Sequence, residues 1–405
     1  MYIRALTLLF RLLSSIAKTL SIFFISKYIS TAAAGEFTLI LSVIVIGVYL
    51  VGIDFYTFSN REVLKRRSNI KKSVINDSFL AFIILLVLIP VFSYVPDNYL
   101  GNQNRALVFV LIVTEFFGMQ GARYLIILKK PLSSAVSVFL RFGLWMSILV
   151  LAKLVSNFPI SIDFILKIWI ICNAASLVFI SFMVIPYFDS SERKLDYKWI
   201  KRGIRVSLIF FIGTITQRLF FNIDRFYIES NLGLDILAVY AAYFSIAAGI
   251  TVFVDALVLM HSYPTLVEKI SEDRARSHNI KNSVLFSVSA VSFFCVIGIT
   301  FIFPYLSSLF NNELFDQNKL SFWLLVGSFV IYNLSQVYYY TLYALNKEML
   351  LTLINIIGLF GFFSFLQFLD LNNTLEYVAI AFSCSIFFIS SSRLIVGEYY
   401  LRKLS

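Results

Sequence analysis

Apolar runs of about twenty residues recur along the whole chain, separated by short connectors that carry most of the Lys and Arg. A helix rises about 1.5 Å per residue, so about twenty apolar residues cross roughly 30 Å of hydrocarbon. The pattern predicts membrane-spanning helices near residues 5–28, 37–59, 75–95, 105–128, 133–155, 162–186, 203–229, 234–262, 282–303, 320–344, 349–369 and 376–400. The expected fold class is therefore an all-α integral membrane protein with about 12 transmembrane helices. The longest cytoplasmic connector, 187–202 (YFDSSERKLDYKWIKR), divides them into an N-terminal lobe, residues 1–186, and a C-terminal lobe, residues 203–405.

Charge orients this series. Alternate connectors hold nearly all loop cations, including Arg61, Lys65, Arg66, Arg67, Lys129, Lys130, Arg193, Lys194, Lys269 and Lys347. The other set, residues 29–36, 96–104, 156–161, 230–233, 304–319 and 370–375, holds only Lys319. By the positive-inside rule the first set is cytoplasmic, and an even helix count puts both termini there too. A bacterial inner (cytoplasmic) membrane is the expected location.

Composition supports the membrane reading: 59% of residues are hydrophobic, 14% are charged, and mean hydropathy is +0.84. The +11 net charge does not point to nucleic acid, because the cations lie in connectors between apolar runs and not on a soluble basic face. The first apolar segment carries Arg11 and Lys18 and no small-residue cleavage site follows it, so it is expected to stay in the mature protein. Cys172, Cys295 and Cys384 each lie in an apolar segment without CxxC spacing, which indicates neither a disulfide framework nor a metal site. No Walker A, GxSxG, HExxH or glycine-rich dinucleotide motif is present, so no cofactor and no enzymatic chemistry are expected.

The candidate chemistry lies in charges within the spans, where each ionisable group needs a partner, a cavity or a route to the interface. In the first helix, Arg4, Thr7, Arg11, Ser14, Lys18 and Ser21 recur at spacings of three and four and share one face. In the seventh, Ser207, Thr214, Arg218, Asn222, Arg225 and Glu229 do the same, with Asp224 beside them. Arg141 lies in the fifth helix with Ser134 and Ser137 beneath it, and Glu115 lies in the fourth; Asp54, Asp255 and Arg393 lie nearer the cytoplasmic ends. Two readings apply: private pairs that fix packing, such as Asp54 with Arg11 or Asp255 with Arg393, or a site for a ligand. An excess of buried cation over anion favours an anionic ligand, with Arg11, Lys18, Arg141 and Arg218 as substrate-binding residues. Asp54, Glu115, Asp224, Arg225, Asp255 and Arg393 are candidates for coupling or gating. Lys27, Arg123, Lys153 and Lys167 lie near enough to helix ends to snorkel, Lys167 with Asp163 one turn away. His261 and His278 flank solvent, and most of the aromatics are expected to face lipid or the interface.

An internal echo relates the halves. Lys18 answers Arg218 and Asp54 answers Asp255 at nearly the same offset, and LIILKKPL at 125–132 answers LYALNKEM at 342–349. Six helices return the chain to its starting side, so such halves are expected to be parallel repeats about an axis along the membrane normal.

Several segments carry a family likeness. SKYISTAAAGEFTLILS at 26–42, followed by GIDFYTFSNREV at 52–63, resembles the opening of the Wzx-type O-antigen and polysaccharide flippases, in which a loop ends in Gly-Glu-Phe. NIDRFYIESNLGLDILAVYAAYFSIA at 222–247 resembles the family's Asp-Arg turn and Val-Tyr helix start, and LYALNKEMLLTLINIIG at 342–358 its connector between helices ten and eleven. The resemblance spans nearly the whole chain and implies membership of the multidrug/oligosaccharidyl-lipid/polysaccharide exporter superfamily. It implies a MATE-like fold, two six-helix lobes around a central cavity working by alternating access. The implied function is a flippase that moves undecaprenyl-pyrophosphate-linked oligosaccharide repeat units from the cytoplasmic to the periplasmic leaflet. Implied partners are the lipid-linked oligosaccharide, membrane lipids, and a polysaccharide polymerase with its chain-length regulator. A small-solute or multidrug exporter of the same fold is the alternative, and a membrane polysaccharide polymerase a more distant one.

Overall fold

The computed structural model describes residues 2–65, 70–93, 104–156, 159–188, 195–262, 266, 274–310, 313–345, 347–369 and 374–404. The connector cations Arg66, Arg67, Arg193, Lys194 and Lys269 and the outer residues 96–103 lie outside them, as do the side chains of Arg4 and His278.

The described residues are almost entirely helical, with no strand among them. In chain order the helices are α1 Tyr2–Tyr28, α2 Thr31–Gly52, α3 Tyr56–Lys65, α4 Ile70–Ser93, α5 Arg105–Ile127, α6 Pro131–Phe142, α7 Leu144–Ser156 and α8 Ile162–Val184. There follow α9 Tyr197–Phe220, α10 Ile223–Leu232, α11 Leu234–Val254, α12 Arg274–Phe310, α13 Glu313–Gln317, α14 Lys319–Ala344, α15 Glu348–Leu369 and α16 Leu375–Leu404. Eleven helices are long and apolar enough to cross a membrane, or 12 if Pro131–Phe142 and Leu144–Val155, bent by 44°, form one span.

The chain divides into two compact units. One comprises Met1–Ser21 with Glu36–Ile215, the other Ile22–Gly35 with Thr216–Ser405. The divisions thus run inside α1, α2 and α9, away from the 187–202 connector. In the first unit, Phe37, Trp145 and Trp169 form a buried ring cluster, the two tryptophans stacked at 5.7 Å. In the second, Phe220, Phe221, Phe244, Phe329 and Phe382 pack ring on ring. Lipid tails are as apolar as these side chains, so such close ring packing, and not exclusion from water, is what favours helix association.

Helix starts follow local chemistry. The Ser30 hydroxyl accepts from the Ala33 N–H at 3.0 Å and caps α2. The Gly-Glu-Phe at residues 35–37 consequently lies inside a helix beginning at Thr31, not in the expected loop. Asp196 caps α9, accepting from the Trp199 N–H at 2.9 Å, so the helix starts at Tyr197, ahead of the expected residue 203. A 2.8 Å bond from the Lys72 ammonium holds the Asp196 carboxyl below its ordinary pKa.

Four expected spans are not continuous helices; the fifth, predicted over 133–155, is the one that bends at Gly143 between α6 and α7. The second, predicted over 37–59, breaks after Gly52, where Ile53 and Asp54 adopt positive φ of 36° and 51°. Both the Thr57 N–H and its hydroxyl then reach the Asp54 carbonyl at 2.9 Å and start α3. The seventh, predicted over 203–229, breaks at Phe221 and Asn222. The eighth gives way at Asp255–Leu259 to a π-helical turn. Asp54 and Asp255, the two echoing aspartates, thus both stand where the second span of their half leaves α geometry. The ninth helix runs from Arg274 through Pro304 to Phe310, so the first part of the expected outer loop 304–319 is helical.

Gly35 marks a close crossing within the second unit. A Cβ there would lie 2.1 Å from the Leu234 carbonyl oxygen, where α11 begins. Gly35→Ala is expected to destabilise the protein by about 1–3 kcal/mol. Gly249→Ala, with nothing within 4 Å of its added Cβ, should leave stability unchanged or slightly raised. Thermal unfolding of the two purified variants in detergent checks both.

Candidate functional site

In the first unit, α5, α6 and α8 bring three polar side chains together in an apolar interior. Arg141 Nη1 donates to Glu115 Oε2 at 2.7 Å and to the Glu115 carbonyl at 3.3 Å. Trp169 Nε1 donates to the other carboxylate oxygen, Oε1, at 2.9 Å. Both charged side chains are at most 5% exposed. Gly118 makes room for the guanidinium stem: a Cβ there would lie 2.5 Å from Arg141 Cδ. Arg141 was read from sequence as part of an excess of positive charge, whereas the structure gives it a carboxylate of its own.

Lys18 is brought to the same place from α1. Its ammonium lies 5.7 Å from the centre of the Phe142 ring, against which the Arg141 guanidinium also lies at 5.2 Å. Arg11 and Lys18 are exposed, whereas Thr7, Ser14 and Ser21 on the same helix are buried. The serine hydroxyls return to their own helix, Ser14 to the Phe10 carbonyl and Ser21 to that of Lys18, both at 2.7 Å.

A second polar group in this unit was not singled out from sequence. Asp77 on α4 is 6% exposed. Its Oδ2 accepts from Ser59 at 3.0 Å, from Gln120 Nε2 at 2.7 Å and from the Tyr124 hydroxyl. Its Oδ1 is buried with no hydrogen-bond partner. Arg123, expected to snorkel, lies over the Tyr56 ring at 3.4 Å and donates to Gln120 Oε1 at 3.2 Å. Asp77, Gln120 and Tyr124 line a cavity of about 280 Å³ together with Phe116, Phe117 and Ile180. Asp77 stands seven residues into α4, a position that reads as a helix start; the one available signal was its place on the helix face that carries Ser73 and Leu80, both buried.

In the second unit, the break of the seventh span is held by side chains. Asn222 Nδ2 donates to the Arg218 carbonyl at 2.8 Å, and Arg225 Nη1 donates to Asn222 Oδ1 at 2.7 Å. Asp224 is fully buried in the first turn of α10; it accepts from the Arg225 N–H at 2.9 Å and from the Tyr240 hydroxyl. Arg225 also lies over the Phe244 ring at 5.0 Å. Arg218 is half-buried at the last turn of α9. Asp255 is exposed in the π-helical turn, and it is not among the hydrogen-bond partners of Arg393.

Arg393 on α16 is 1% exposed. It donates to Ser335 Oγ at 3.3 Å and to Asn355 Oδ1 at 3.0 Å, and lies over the rings of Tyr332 and Tyr339. Nearby, Lys281 is ion-paired with Glu398, which also accepts from the Tyr338 hydroxyl at 3.1 Å. No cluster of three or more potential metal ligands occurs among the described residues.

With this arrangement established, likeness to solved structures fixes the fold. An inward-facing multidrug resistance MATE family transporter of the MOP superfamily aligns with TM-score 0.74 and 13% identity, over 98% of this chain and 95% of its own. The chain has the MATE transporter fold. An outward-facing MATE transporter aligns with TM-score 0.64 and 13% identity, over 99% of this chain and 96% of its own. A MOP superfamily transporter from Pyrococcus furiosus aligns with TM-score 0.65 and 13% identity, over 100% and 94%. No protein-family model and no curated protein matches the sequence.

The Glu115–Arg141 pair generates a prediction. Removing one partner leaves the other charge buried and uncompensated, a loss of about 3–5 kcal/mol. Glu115→Leu and Arg141→Met should each unfold at markedly lower temperature than the parent. The double variant should recover most of the loss, and a thermal-unfolding double-mutant cycle measures the coupling.

Proposed function

We propose that this protein is a membrane transporter that flips a lipid-linked oligosaccharide repeat unit from the cytoplasmic to the periplasmic leaflet of the bacterial inner membrane, for surface polysaccharide assembly. The observation that carries the reading is that the accessible charges on the first helix are all cationic. Arg11 and Lys18 are exposed on the first helix and Arg218 is half-buried on the seventh, while Arg141 and Lys281 are buried. Such cations suit an anionic cargo, and a lipid-linked diphosphate is the anion that the Wzx-like segments at 26–42, 52–63 and 222–247 imply.

A diphosphate cannot enter hydrocarbon unaided. In this reading, charge-assisted hydrogen bonds from Arg11, Lys18 and Arg218 replace its water, and the guanidinium groups grip phosphate oxygens two at a time. Arg141 acts indirectly, by shaping the surface on which Lys18 rests. Outward passage of a negative headgroup runs with the membrane potential, at roughly 2.3 kcal/mol per charge per 100 mV. The released units would pass to a polymerase and its chain-length regulator.

A second reading, export of a small solute or drug, is favoured by the multidrug resistance MATE neighbours and by Asp77, a carboxylate lining a cavity of about 280 Å³. For the Pyrococcus furiosus transporter, the reverse polarity of its binding pocket is itself taken to suggest a different function. Polarity is likewise the feature that separates the two readings here.

The deciding measurement is the sidedness of lipid-linked repeat units in cells lacking the protein, with transferases and polymerase intact. Units trapped on the cytoplasmic leaflet are expected; units that reach the periplasm unpolymerised, or an unchanged coat, would rule flipping out. Lys18→Ala and Arg218→Ala, at equal membrane abundance, should each lower surface polysaccharide at least about tenfold, the loss of one charge-assisted contact. Arg218→Lys should lose less, since the charge remains.

A further inference from the structure

We infer that the second unit binds a small monovalent anion of the halide class in the recess walled by Arg393, Asn355 and Tyr332. The recess also contacts Gln217, Phe220 and Phe221, at the end of α9, and is sized for a single small occupant.

The case rests on charge and on unused donors. Arg393 is 1% exposed and permanently cationic. Its two protein acceptors, Ser335 and Asn355, are neutral, and among the described residues no carboxylate lies within 4 Å of its guanidinium. The rings of Tyr332 and Tyr339, 5.5 and 5.1 Å away, attract the cation but bring no negative charge. Among the described residues the other two buried cations each have a carboxylate partner: Arg141 has Glu115, and Lys281 has Glu398. Arg393 Nε, in addition, is buried with no hydrogen-bond partner.

The neighbours add donors and not acceptors. Asn355, 6% exposed, gives its amide oxygen to Arg393, which leaves its Nδ2 hydrogens for an occupant of the recess. The Tyr332 hydroxyl, 7% exposed, accepts from Gln217 Nε2 at 2.8 Å and keeps its own hydrogen to give. A cation and three uncommitted donors around one small space define an anion site. A water there would accept hydrogen bonds, yet it would leave the charge uncompensated in a low-dielectric interior. A phosphate or carboxylate is larger than a single small occupant. Bound in this place, a halide joins α14, α15 and α16 to the last turn of α9, beside the break at Phe221 and Asn222.

The inference does not depend on the flippase reading, and its test needs no transport substrate. The full chain in nanodiscs is unfolded thermally in sodium chloride, sodium bromide, sodium sulfate or sodium gluconate at equal ionic strength. The parent protein should unfold at least about 3 °C higher in chloride and bromide than in gluconate, with a saturable dependence on halide concentration. Arg393→Gln and Asn355→Leu should lose that halide-dependent rise. If Arg393→Gln does not fold, Asn355→Leu decides. Equal unfolding temperatures in chloride and gluconate, a rise with sulfate but not halide, or an undiminished halide response in Asn355→Leu would overturn the proposal.

Discussion

The energetic cost of placing charge in an apolar slab governs this protein more than any other constraint. An ionised group in hydrocarbon is destabilising by several kcal/mol unless it is paired or hydrogen-bonded. The structure answers that cost separately at each place. Glu115 is enclosed by Arg141 and Trp169, Asp77 by three donors, Asp224 by Tyr240 and a backbone amide, and Glu398 by Lys281 and Tyr338. Departures from regular helix fall at polar residues within the spans, and at Asn222 the side-chain amide bonds the Arg218 carbonyl in competition with the i to i−4 ladder. Asp54 stands at positive φ, Asn222 at a break, and Asp255 at the head of a π turn.

Charges in the spans therefore fall into two groups with different consequences. Buried pairs such as Arg141–Glu115 make the fold specific and offer no charge to a ligand. Arg11 and Lys18, by contrast, are exposed on α1. Lys18 and Arg141 both lie against the ring of Phe142, which places a member of each group at one point of the first unit.

The number, order and approximate extent of the spans were legible in the sequence, because twenty-residue apolar runs admit few alternatives. The stripe on the first helix follows from spacing, but spacing did not show that Arg11 and Lys18 are exposed while Thr7, Ser14 and Ser21 are buried. The breaks were not legible: Ile53 and Phe221 are apolar residues inside apolar runs, and hydropathy carries no information about φ. Pairing was harder still. Arg141 and Glu115 lie 26 positions apart, and Trp169 joins them from a third helix. Spacing along one helix cannot reveal a partner on another, so Arg141 read as surplus charge and Asp77 was not singled out. For Arg393 a pair with Asp255 was one of two readings, and the structure supplies neutral oxygens instead.

Gly118 ties two sequence positions together. The bare backbone of α5 at that residue is the space into which the Arg141 side chain extends, and a methyl group there would overlap it. Neither position can then change alone: a larger residue at 118 demands a shorter cation at 141, and Glu115, one turn earlier on the same helix, would lose its partner. The three positions are coupled through one contact, so a change at any of them is tolerable or harmful only against the identity of the other two.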